Sequence, residues 1–153
     1  MTHIRPLQKN DRPHWQKLWQ GYLDFYQQNL PSEITEYVFA SLLDETQEMS
    51  AIVAEVDGKC VGLAHYFFHP TTWHIGPYAH LEDLYVSEDF RNQGIGYALI
   101  EELKKIAKAH NAKKLSWHTH KDNRRAQALY NKMSDQNDHI RYDIHLLEKS
   151  ELK

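Results

Sequence analysis

Two periodicities alternate along the chain. "HWQKLWQGYLDFYQQ" places Trp15, Leu18, Trp19, Tyr22, Leu23 and Tyr26 at helical spacing, which predicts an amphipathic helix. "NDRP" before it reads as a helix start, with Asn10 or Asp11 as cap and Pro13 in the first turn. A second helix is predicted over 33–44, capped by Ser32 with Pro31 outside. "SAIVAEVDGKCVGLAHYFFH" holds two β-rich runs around Asp57-Gly58, a hairpin turn dipeptide. "HLEDLYV" (80–86) predicts a third strand of that sheet. From Gly94 to about His110 the pattern is helical again, with Ile95, Leu99, Leu103 and Ile106 on one face. "HIRPL" (3–7), "KKLSWHT" (113–119) and "HIRYDIHLL" (139–147) read as strands, and "NRRAQALYNKM" (123–133) as a short helix.

The predicted order is β-α-α-β-β-β-α-β-α-β, an α/β (α+β) mixed sheet with helices packed on it. The length of 153 residues fits one domain over 1–153, with a core that needs no disulfide or metal. A formal net charge of −3 gives no bulk basic field, so neither nucleic acid nor an anionic membrane is expected as partner. No apolar run approaches the about 18 residues of a membrane span, and the polar start is unlike a signal peptide. The lone Cys60 cannot form an internal disulfide, which fits a reducing cytoplasm. Eleven histidines invite a metal reading, but there is no H-E-x-x-H and no cysteine pair. We expect no metal, and a role for some histidines in the response to pH.

"RNQGIG" (91–96) raises the question of chemistry. Glycines at a helix start leave backbone N–H groups open to a ligand, at the positive end of the helix dipole. That suits an anion, above all a phosphate. The loop alone is equally a tight turn. It is not a Walker loop, which needs a following lysine, and Leu99 stands where a dinucleotide fingerprint needs its third glycine.

Context narrows the choice. "R-x-x-G-x-G" follows the strand "LEDLYV", and "N-x-x-A-x-x-L-Y-x-K" runs from Asn123 to Lys132. With these linked motifs the sequence resembles the GNAT superfamily of acetyl-CoA-dependent N-acetyltransferases. "WxxLWxxYxxFY" and "LED" are further similar to its histone and polyamine branch. The resemblance implies a mostly antiparallel central sheet flanked by about four helices, and acetyl-CoA as cosubstrate. Met133-Ser134-Asp135 departs from the Gly-aromatic pair that often follows the tyrosine helix. The turn into the last strand, and any subunit contact there, is thereby less defined.

The resemblance assigns roles residue by residue. Asn92, Gln93, Gly94, Ile95, Gly96 and Tyr97 would offer backbone N–H groups to the pyrophosphate, with Arg91 nearby. Leu84, Tyr85 and Val86 would present a strand edge to the pantetheine amides. Asn123, Arg124 and Ala126 fall on the cofactor-side helix. Tyr130 is the expected general acid: a tyrosine of reference pKa about 10 stays protonated at neutral pH and donates to the leaving thiolate. Glu82 is the expected proton acceptor. Only about one alkyl amine in a thousand is neutral at pH 7, a cost of roughly 4–5 kcal/mol, and a carboxylate offsets it. A regular strand would turn Asp83 to the other face.

Each assignment has a plainer counterpart. Arg91 is also a solvated loop charge, Tyr130 a packing residue, and Glu82 an acidic group that attracts cations. Trp19, Tyr22, Asp24 and Tyr26, with Glu33 and Glu36 beyond, would suit a cationic amine, yet aromatics at this spacing also form a core. The expected function is acetyl transfer to a small primary amine, above all a polyamine. Alternatives are a protein lysine, an amino acid, or a non-catalytic acetyl-CoA-binding domain. A homodimer or higher homo-oligomer is expected, joined through 139–147.

Overall fold

A computed structural model describes residues 1–147. The elements run β1 (Thr2–Pro6), α1 (Arg12–Phe25), α2 (Ser32–Leu43), β2 (Ser50–Val56), β3 (Lys59–His69), β4 (Tyr78–Val86), α3 (Ile95–Ala109), β5 (Leu115–Ser116) and α4 (Arg124–Tyr130). The five strands form one sheet in the order β1-β2-β3-β4-β5. The first four pair antiparallel, and β5 joins β4 in parallel. Among the described residues no helix is long and apolar enough to cross a membrane. The chain divides into two compact units, residues 1–118 and the segment from Thr119 onward.

The two faces of the sheet bury different helices. Ala51, Val53 and Leu63 pack with Trp15, Leu18, Trp19 and Leu23 of α1 and with Phe39 and Leu42 of α2. On the other face, a Cβ at Gly62 would come within 3.3 Å of both Ile95 and Leu99. The missing side chain lets the start of α3 lie close on the sheet. The Asp57-Gly58 turn has positive φ at both residues (50° and 77°), which matches the twist of the hairpin it closes.

Several sequence expectations change. Asp11 stands at the start of α1 but makes no side-chain cap there. Its carboxylate takes the Gln8 N–H (2.7 Å) and both terminal nitrogens of Arg5 (2.8 Å each), tying β1 to the helix entry. Ser32 is the first helical residue of α2, and Pro31 occupies the cap position. β5 is only Leu115–Ser116, because it pairs with β4 at Ala79 and His80 and no further. The last strand, expected over 139–147, does not form. A strand needs a partner for its ladder, and these residues have none among the described ones. Ile140, Tyr142, Ile144 and Leu146 instead stand 77–91% exposed.

The Arg5–Asp11 pair is buried enough to matter for stability. Asp11→Ala would remove two hydrogen bonds from the mostly buried Arg5 guanidinium and leave it Glu55 and the Pro6 carbonyl, so we expect a cost of about 1–3 kcal/mol in urea unfolding at neutral pH. Arg5 hydrogen bonds hold the Asp11 carboxyl below its ordinary 3.8. This contribution is therefore complete above pH 3.8 and is lost as pH falls through the lowered value.

Candidate active site

β4 is not a regular strand. His65 pairs with Asp83 and Tyr66 with Leu81, so Glu82 is an extra residue with no partner on β3. This β-bulge resets the alternation of side chains. Asp83 therefore does not turn away from Glu82 as a regular strand would require. Both carboxylates act on the Tyr22 hydroxyl of α1 and on the His80 ring. Glu82 is exposed and Asp83 partly so. The regular alternation that would turn Asp83 away from Glu82 therefore does not hold here, and the bulge is the reason.

Asp83 is the more anchored of the two. His65 Nδ1 lies 2.9 Å from its Oδ2, and its charge acts on the nearby Tyr22 hydroxyl. Burial, then Asp83, pushes the Tyr22 hydroxyl far above its ordinary pKa, so it remains protonated. Tyr26 is raised in the same direction, mainly by burial. Around the bulge stand His80 and His118, with ring centroids 5.4 Å apart.

The aromatic residues of α1 divide in role. Trp19 is 7% exposed and lies stacked between Trp15 (6.0 Å) and Tyr22 (5.3 Å). Both of its faces are covered, so it belongs to the core that backs Tyr22. Its indole N–H has no hydrogen-bond partner among the described residues. Tyr22 and Tyr26 form the outer rungs, 4.9 Å apart. Asp24 faces solvent and accepts from Gln20 (2.8 Å). Glu36 is tied to Arg12, and Glu33 is exposed.

Beyond the bulge, Leu84, Tyr85 and Val86 pair with β3 on one side only, since β5 has already ended. Among the described residues no strand pairs with their other edge. The Tyr85 ring packs edge-on to Tyr22 (6.3 Å). Arg91 is no free loop charge. Its Nε donates to the Val86 carbonyl (2.9 Å), and its guanidinium lies 5.4 Å from the centre of the Tyr85 ring. It ties the loop to the strand end.

α3 opens as the glycine motif predicts. Asn92 and Gly94 have φ of 63° and 78°, and the helix begins at Ile95 with no side-chain cap. The first intrahelical bond from this turn is Ala98 N–H to Gly94 O (3.0 Å). The earlier N–H groups of Ile95, Gly96 and Tyr97 have no place in the helical ladder. Among the described residues nothing lies within 4 Å of a Cβ built on Gly94, so the backbone is uncovered at that residue. The geometry fits a pyrophosphate.

In the second unit, Asn123 caps α4, its Oδ1 accepting the Ala126 N–H (3.3 Å). The Asn and Ala of the motif are thus a helix start. Gln127 further ties the helix to the carbonyls of His120 (3.2 Å) and Lys121 (2.9 Å). Tyr130 is the last residue of α4 and is partly buried. Arg124 sits in the first turn and is exposed.

A mixed sheet whose parallel pair ends short of a bulge, beside an uncapped helix start, is the architecture of acyltransferases that draw on a coenzyme A thioester. The family follows from the sequence: the chain belongs to the acetyltransferase (GNAT) family, whose model matches residues 15–134. It is an acetyl-CoA-dependent N-acetyltransferase. Its relatives include the D-amino-acid N-acetyltransferase HPA3 of Saccharomyces cerevisiae, 33% identical over 141 residues, covering 91% of this chain and 88% of that one. A thialysine N-epsilon-acetyltransferase of Caenorhabditis elegans is 29% identical over 86 residues, covering 56% of this chain and 53% of that one. Among solved structures, a probable acetyltransferase superposes with a TM-score of 0.85 at 20% identity, over 96% of this chain and 99% of that one. AAC(6')-Iy in complex with a CoA bisubstrate analog gives 0.79 at 18% identity, over 95% and 99%.

Sequence reasoning missed two parts of the site, the bulge and His65. A polar residue inside the apolar run "CVGLAHYFF" was the available signal for the second.

His80 supplies a test of the site's electrostatics. Burial lowers it from the ordinary 6.5, against the upward pull of Glu82. Below pH 6.5 the unfolded chain then binds more protons than the folded one, so stability from this group is complete above 6.5 and falls below it. Between about pH 8 and pH 5 the wild type should lose more unfolding free energy than His80→Gln in urea melts. Equal losses would remove His80 from the electrostatics of the bulge.

Proposed function

We propose that the protein acetylates a small cationic amine, with a polyamine or similar diamine as its preferred acceptor. The observation that carries this reading is the Glu82-Asp83 bulge, which brings two carboxylates to bear on the tyrosine face of α1. The ammonium is bound between these carboxylates and Tyr22 and Tyr26. Glu82, directly or through one water, accepts the proton that must leave nitrogen before attack. The free lone pair then adds to the thioester carbonyl carbon. The C–S bond breaks, and Tyr130 gives its proton to the departing sulfur. The open N–H groups at 95–97 hold the pyrophosphate, and the free edge of Leu84-Tyr85-Val86 pairs with the pantetheine arm. Arg91 serves this site indirectly, by holding the loop against the strand. The lone, buried Cys60 suits work in a reducing compartment.

A second reading is an amino-acid acceptor, and the 33% identity to a D-amino-acid N-acetyltransferase favours it. A panel of acceptors separates the two: spermidine, a diamine, a neutral-tailed monoamine of equal length, and both enantiomers of several amino acids, followed by thiol release from acetyl-CoA. One extra ion pair about 6 Å apart at an effective dielectric near 20 gives roughly 2–3 kcal/mol before desolvation. After desolvation and screening, spermidine should exceed the monoamine about fivefold in kcat/KM, less at high salt. Glu82→Gln should reduce that preference. Amino acids acetylated as well as polyamines at low salt would move the assignment to the second reading.

We further propose that 139–147 mediates self-association. Its apolar and polar residues alternate as in a strand, and its apolar side chains are exposed. Pairing with a second copy would bury them. Light scattering at micromolar concentration should show a dimer or larger species, and Ile144→Lys should shift it toward monomer. A wild-type monomer would contradict the assignment.

A further inference from the structure

Asp11, Ser41 and His65 are the buried polar residues among those described, and the mechanism above uses none of them. His65 is 2% exposed, yet it reaches the site through Asp83. Both ring nitrogens are engaged. Trp15 Nε1 lies 3.1 Å from His65 Nε2. An indole nitrogen only donates, so Nε2 accepts and the ring proton sits on Nδ1. Nδ1–H therefore donates to Asp83 Oδ2 at 2.9 Å. A chain of hydrogen bonds thus runs from the fully buried Trp15, through His65, to the bulge.

This arrangement limits what His65 can do. A second proton on Nε2 would point at the indole N–H and find no acceptor. The ring is therefore not a store for the proton that leaves the amine. What it provides is direction. An aspartate held by a buried donor is restricted to few rotamers, whereas a free one samples several.

We propose that His65 is a positioning residue for acetyl transfer. Locked in its Nδ1–H tautomer by Trp15, it holds the Asp83 carboxylate toward the acceptor amine beside Glu82. This rests on the reading that the Glu82-Asp83 bulge receives the amine. It adds a residue that touches neither substrate nor cofactor.

Two variants divide the ring between them. Asn carries an amide N–H near the place of Nδ1, and Gln an amide oxygen near the place of Nε2. His65→Asn preserves the donor to Asp83, and His65→Gln preserves the acceptor for Trp15. Both should lower the melting temperature to a similar degree. With the best amine of the panel, His65→Gln should lose roughly ten- to a hundredfold in kcat/KM for that amine, and His65→Asn at most about threefold. The KM for acetyl-CoA should not change in either. Equal losses in the two variants, tracking their melting temperatures, would make His65 a purely structural residue and overturn the proposal while leaving the acceptor assignment intact. Nitrogen-15 NMR of the wild-type ring gives a readout free of turnover. A protonated Nδ1 and bare Nε2 are expected, and the opposite tautomer overturns the proposal. A wild type that acetylates no amine would instead overturn the proposed function on which the role rests.

Discussion

The bulge at Glu82 is the constraint from which the rest of the site follows. One residue without a partner on β3 breaks the alternation of β4. Before the bulge β4 pairs with β5, and beyond it no described strand pairs with the same edge. This edge and the uncapped start of α3 fall at the same end of the strand. Arg91 joins them, since it leaves the loop to bond the last carbonyl of β4. The reset alternation also places Asp83 opposite His65, where a buried ring can hold it.

The packing around the bulge explains why it is stable. Removing a residue from the ladder costs backbone hydrogen bonds. Here the strand is held from one side by the aromatic run of α1, in which Trp15, Trp19 and Tyr22 stack in sequence. Tyr85 meets Tyr22 edge-on and carries Arg91 on its own face. The helix read from spacing as core or pocket is both: its inner rings are core, and its outer tyrosines border the carboxylates. One turn of helix separates the two roles.

The histidines also acquire distinct roles from their places. His65 is buried and its two nitrogens are fixed by partners. His80 is partly buried beside Glu82 and feels His118 and His69. His110 ends α3 and stacks on Phe68 (4.6 Å). Their number in the sequence suggested a common purpose, such as a metal. Their surroundings divide them among a hydrogen-bond chain, an electrostatic neighbourhood and a helix end.

Periodicity was sufficient for the helices, because α1, α2 and α3 each carry an apolar stripe whose burial does not depend on distant detail. The Asp57-Gly58 hairpin and the glycine-opened start of α3 were equally local, since positive φ favours few residue types. The two motifs, taken together, carried the family. What the sequence by itself did not determine is everything that depends on pairing. An alternating segment such as 139–147 becomes a strand only against a partner, and the described chain gives it none. β5 shortened for the same reason, its ladder ending where β4 bulges. The pairing of Glu82 with Asp83, and the link from Trp15 through His65 to Asp83, required β3 opposite β4 in a register that local patterns do not encode. Tertiary structure decided these because they join residues far apart in the chain, and a shift of one residue in that register would have turned Asp83 to the other face.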